Sequence, residues 1–195
     1  MNKTVEHAGA PRLKRIAPEN YSAAQKECAA DFAATRKVGF QGGPWDVFIH
    51  SPELMTHAQR MGDYLRYRCP LSGRLSELAI LLVAREWTQD YEFGAHRKHA
   101  FKAGVSEATI TAIREGRRPQ ALGEDEQIVW DFVTEILKTR RVSDVTWAAA
   151  VKLFGDQASV DLCGLVGYYS LLALTMNVAR VAPPEGEARL PRFPE

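Results

Sequence analysis

The stretch from Arg74 to Gly104, RLSELAILLVAREWTQDYEFGAHRKHAFKAG, constrains the fold of this chain more than any other. It opens on an almost wholly apolar run, Leu75 to Ala84, in which Glu77 is the one carboxylate. A helix that is apolar all round has to be enclosed by other elements. Thr88-Gln89-Asp90 breaks the run. The helical segment after it sets Glu92, His96 and His99 three and four residues apart, the spacing that puts side chains on one helix face, and Gly104 closes it. A carboxylate in an apolar helix followed by a Glu/His face is what acid–base chemistry in a buried pocket requires.

The rest of the chain reads as helices that enclose this pair. Tyr21 to Lys37 is Ala-rich and helical, and 39–44 (GFQGGP, up to Pro44) is a loop. Ser51-Pro52-Glu53 starts a helix that runs to Arg68, with Ser51 as its cap, Pro52 in the first turn and Glu53 at the positive end. Leu54, Ala58, Met61 and Leu65 form its apolar stripe, and Pro70 stops it. Ser106 caps a short helix ended by Gly116. Glu124 to Arg140 is amphipathic, with Ile128, Phe132 and Ile136 inward. Ser143 caps a further helix that Gly155 closes, and Asp156 to Val181 is long and apolar, with Gly164 and Gly167 permitting close helix contact. No alternating strand pattern and no Gly-rich phosphate loop occur. The expected fold is all-α: a flexible arm at 1–20, one multi-helix bundle domain at 21–182, and an extended tail at 183–195 able to clasp a neighbouring subunit.

Composition narrows the function classes. With 195 residues, 46% apolar, 25% charged and a net charge of +1, the chain carries no strong field toward nucleic acid or an anionic membrane. The N-terminus lacks the apolar core of a signal peptide, and the longest apolar stretch, Leu162 to Val178, is interrupted by glycines, tyrosines and Asn177. A cytoplasmic location is expected. Cys28, Cys69 and Cys163 are odd in number and widely spaced, which argues against a disulfide framework, a redox pair or a zinc ribbon and favours free thiols.

The run SELAILLVAREWTQDYEFGAHRKHAFKAGVS resembles the core of the carboxymuconolactone decarboxylase family, which includes the alkylhydroperoxidase D-like proteins. In the family's peroxidase branch a Glu is followed twelve residues on by a Cys, three further by a second Cys and four further by a His. In that register Glu77 falls on the Glu, Gln89 on the first Cys, Glu92 on the second and His96 on the His. The flanks Trp45 to Pro52 and Gly167 to Asn177 extend the likeness over roughly residues 40 to 180, although only the central stretch is motif-grade. Both cysteine positions lack a thiol here, so dithiol peroxidase activity is not available at that site. What remains is the frame of the cysteine-free, decarboxylase-like branch. The resemblance implies an alkylhydroperoxidase D-like fold, a homo-oligomer with pockets near subunit contacts, a small-molecule substrate and a lyase without cofactor.

Each residue carries its own chemistry. His96 can give and take protons near neutral pH. Glu92, one turn before it, would fix its tautomer, and Glu77 would complete the relay. Burial would raise the Glu77 pKa, and a cation such as Arg74 would lower it. Trp87, Tyr91 and Phe93 flank the Glu/His face as core or as an apolar pocket lining. His50 and Asn177 are pocket candidates carried by the resemblance. Arg85, Arg97 and Lys98 suit a substrate carboxylate or a solvated surface. Glu92, His96 and His99 can also be read as metal ligands, although three turns of one helix close a tetrahedral site poorly without Glu77 or His50. Three readings stay open: an acid–base lyase acting on a small carboxylated lactone or unsaturated acid, a metal-dependent enzyme, and a non-catalytic small-ligand-binding homo-oligomer. A thiol peroxidase would need one of the three cysteines beside His96.

Overall fold

The computed structural model describes residues 9–36, 39 and 42–192. Among these the chain is all-helical, with no strand. A 3-10 turn, Pro18–Asn20, precedes α1 (Ala23–Arg36), α2 (Pro44–Phe48), α3 (Pro52–Tyr67), α4 (Gly73–Glu86), α5 (Asp90–Ala103), α6 (Glu107–Arg114), α7 (Glu124–Thr139) and α8 (Asp144–Ala179). Part of the N-terminal arm expected at 1–20 and part of the loop at 39–44 lie outside the described residues.

The apolar run becomes the central helix. Every residue of α4 from Leu75 to Ala84 is buried, with α5, α7 and α8 packed around it. Ser72 starts the helix by accepting a hydrogen bond from the Leu75 N–H. Ser106 and Ser143 cap α6 and α8 in the same way, through the Thr109 and Thr146 N–H groups. Ser51 stands at the α3 N-cap, but its side chain accepts no capping bond there, and Pro52 alone marks the start.

One expectation needs correction. The buried face of α3 carries Met55, Ala58, Gln59, Gly62 and Leu65, whereas Leu54 and Met61 are about half exposed. The helix is rotated because Gln59 turns inward to donate to Asp31 Oδ2 (2.7 Å). Gly62 also leaves room for Tyr168, whose hydroxyl would lie 2.1 Å from an added Cβ. In α7 the buried stripe centres on Val129, Phe132, Val133 and Leu137, with Ile128 and Ile136 at its edges.

Gly155 does break the last helix. At φ +83° and ψ 169° it leaves helical geometry, so α8 is two stacked segments. By length and composition α8 could cross a bilayer, and half of its most apolar window is buried inside this fold. The chain on either side of the bundle lies against it. Arg12 bonds to the Ala179 and Val178 carbonyls. The segment after α8 turns back over α5, where Leu190 is buried and Glu187 meets Arg97 and Lys98.

Candidate active site

The break between α4 and α5 is fastened by two side chains, Gln89 and Asn177. Thr88 takes a positive φ of 47°, and Gln89 accepts from the Glu92 N–H (3.0 Å), capping α5. The Gln89 amide donates to Asn177 Oδ1 (3.1 Å), and Asn177 donates to the Trp87 carbonyl (2.8 Å). Gln89 therefore acts as a cap and latch. Asn177 ties α8 to the break, and its hydrogen bonds go to Gln89 and Trp87 rather than to Glu77 or His96.

That fastening runs α5 back along α4, and His96 Nδ1 comes to 2.7 Å from Glu77 Oε2. Both side chains are about nine-tenths buried. A third residue completes the pair: Arg66, at the end of α3, places Nη2 3.4 Å from Glu77 Oε1. Arg74, the cation expected beside Glu77, is instead held by Asp125 and Glu126 of α7. The ring of Tyr169, on α8, meets the His96 ring edge-on, with centroids 5.2 Å apart and planes at 88°. His96 thus sits at a meeting of α3, α4, α5 and α8. Arg66 and Tyr169 were not selected from the sequence. Arg66 sits in an ordinary helical arginine-rich turn, and Tyr169 is one of several aromatics in an apolar helix, so only the packing distinguishes them.

The electrostatics separate the ionisable groups. Burial raises the Glu77 carboxyl, but the His96 hydrogen bond and the nearby cations outweigh it and leave Glu77 below the usual carboxylate range. Burial pushes the His96 imidazole down; Glu77 opposes this, and Arg66 and His99 add to it. The pair is therefore an ionised Glu77 and a neutral His96 that donates its Nδ1–H, leaving Nε2 with a free lone pair.

Glu92 is placed differently from the expectation. Glu77, not Glu92, fixes the His96 tautomer. Glu92 is 2% exposed, and among the described residues neither of its oxygens has a hydrogen-bond partner. Burial pushes its pKa well up, so Glu92 is held as the neutral acid. Burial also pushes the Tyr168 hydroxyl up to about 12, with Arg36 and Arg66 opposing it.

The remaining candidates scatter. His50 is exposed and bonds to the Lys14 carbonyl (3.1 Å), well apart from the pair, because its helix start faces the N-terminal segment. Phe93 is core. Tyr91 packs on the turn at Gly42 and Gly43, and Trp87 is half-buried at the break. Arg97 and Lys98 pair with Glu187 of the same chain. His99 is exposed, its ring 5.9 Å from that of His96. Glu92, His96 and His99 do not converge, and among the described residues no three His, Cys, Asp or Glu side chains group as metal ligands. The cysteines stand apart as free thiols, and burial raises the Cys69 pKa, the opposite of what a peroxidatic thiolate needs.

Among the described residues, one surface cavity of about 190 Å³ lies beside Arg15, Asp46 and Val181, and another of about 110 Å³ beside Leu82, Trp130 and Lys138. Neither is lined by Glu77, Glu92 or His96. No protein-family model matches the chain, and no curated protein matches it.

Proposed function

We propose that the chain is a carboxymuconolactone decarboxylase-like acid–base lyase acting in the cytoplasm, and that it works on a small carboxylated lactone or unsaturated acid. The observation that supports this reading is the buried Arg66–Glu77–His96 array, with a 2.7 Å bond that fixes one imidazole nitrogen and frees the other. In a decarboxylation the bond between the ring carbon and the carboxylate breaks, and carbon dioxide leaves. The electron pair passes into the conjugated lactone as a dienolate, and a carbon is then protonated. Arg66 supplies a cation for the substrate carboxylate or the developing oxyanion. The proton comes from solvent: His96 Nε2 takes it up and passes it to that carbon, and Glu77 stabilises the imidazolium while it lasts. Glu92, protonated nearby on the same helix, is a second proton source.

The test is turnover of a panel of lactone acids by the full-length protein, followed as carbon dioxide release. Wild type should decarboxylate at least one of them. His96→Gln should lose that rate by about a hundredfold or more, with unchanged circular dichroism. A folded His96→Gln variant that keeps the wild-type rate removes His96 from the chemistry and the lyase reading with it.

A further inference from the structure

Among the described residues, the outer face of α8 has no partner in the fold. Val160, Gly164, Gly167, Leu171, Leu174 and Val178 follow one another at intervals of four, three, four, three and four residues. That is the spacing of a coiled-coil seam, which repeats every seven residues. Val160, Leu171, Leu174 and Val178 are 60%, 39%, 45% and 54% exposed, although the opposite face of the same helix is core. A solvated helix face ordinarily carries charge. Here no Asp, Glu, Lys or Arg occurs between Asp161, which is buried, and Arg180.

Gly167 sharpens the point. Glycine inside a helix costs about 1 kcal/mol relative to alanine. A Cβ on Gly164 would make only an ordinary contact with the end of the Leu65 side chain, at 3.4 Å. A Cβ on Gly167 would meet nothing within 4 Å. The fold of one chain gives no reason for bare backbone at the middle of the seam, whereas close approach by a second helix does.

We infer that this seam is the contact between two copies of the chain, α8 against α8. Knobs-into-holes packing needs the same repeat on both partners, and this stripe supplies it to itself. Its lack of charge means that like against like meets no repulsion. Residues 160 to 178 span about 27 Å, and a pair of such stripes removes on the order of 1,000 Å² from water, the lower end of specific interfaces. A membrane surface fits less well, because interfacial helices set Lys and Arg beside the apolar face and the helix has none along the seam.

Sedimentation velocity of the full-length chain, from low micromolar concentration upward, tests the inference. Wild type should be dimeric or a higher multiple, and Gly167→Glu should weaken association by more than about tenfold. Because the new side chain enters open space, Gly167→Glu should keep its helix content and melting temperature. Leu174→Lys, about half exposed at the start, should act in the same way. Wild type that stays monomeric throughout, or Gly167→Glu that assembles as well as wild type, overturns the proposal. So does a monomer that co-sediments with neutral or anionic phospholipid vesicles through these residues.

Discussion

His96 Nδ1 and Glu77 Oε2 meet at 2.7 Å across nineteen residues of sequence, and Arg66 approaches the other oxygen of the same carboxylate at 3.4 Å. One carboxylate thus joins a helix end to a helix middle. Glu77→Gln should cost about 1–3 kcal/mol, since it weakens two charge-assisted hydrogen bonds in a largely buried place. Melting should fall by roughly 2–4 °C for each kcal/mol. The imidazole loses its raising partner, so the His96 pKa should drop further below its ordinary value, as followed by NMR titration of the ring protons. An unchanged His96 titration would mean that the pair has no energetic coupling.

Glu92 should show the opposite sign. Its two oxygens are buried without partners among the described residues, so removing them relieves a desolvation cost. Glu92→Met, of similar shape, should stabilise the protein by on the order of 1–2 kcal/mol at neutral pH. If Glu92 serves the chemistry, turnover should fall in the same variant, the exchange of activity for stability seen where a site is held under strain. A clear loss of melting temperature in Glu92→Met would show instead that the carboxyl is satisfied in solution.

Stability should depend on pH in a way His96 controls. Its folded pKa lies below the ordinary 6.5, so as pH falls the unfolded chain takes up the proton first. The contribution is complete above about pH 6.5 and is lost as pH falls from there through the lower folded pKa. Glu77, also lowered, adds a loss of the same sign further down, below its ordinary 4.5. Glu92, raised, works in reverse: its contribution is present below 4.5 and is lost as pH rises through its folded pKa. Calorimetric melting between about pH 7 and pH 5 should therefore fall less steeply for His96→Gln than for wild type. Equal slopes for the two proteins would contradict a buried neutral imidazole.

The central helix, its break and the Gly155 interruption were legible because each follows from local chemistry: an unbroken apolar run, a polar trio, and a glycine free to adopt positive φ. The Glu77–His96 pair was legible as two residues but not as a bond. Spacing within one helix pointed to Glu92 as the partner, whereas the partner comes from the facing helix. Arg66 reaches Glu77 from a third element, and no periodicity in one segment encodes that meeting. The same limit applies to α3, where inward Gln59 and the Gly62–Tyr168 approach shifted the buried face away from the apolar count.

The segment after α8 braces the outer face of α5, the helix whose inner face holds His96. Asp90, at the start of α5, accepts from the Leu190 N–H (2.9 Å) and from Arg192 (2.7 Å), while the Leu190 side chain is 3% exposed. The two anchors should differ in weight. Arg192 is 43% exposed at its side chain, so Arg192→Ala should cost less than about 1 kcal/mol. Leu190→Ala opens a buried space and should cost about 2–3 kcal/mol. The loss should concentrate on α5, so hydrogen exchange of the amides from Tyr91 to Arg97 should quicken in Leu190→Ala more than that of α7. Denaturant unfolding and exchange together check this. Arg192→Ala costing as much as Leu190→Ala would make the brace an ionic clasp, sensitive to salt, and the apolar anchor would lose its assigned role.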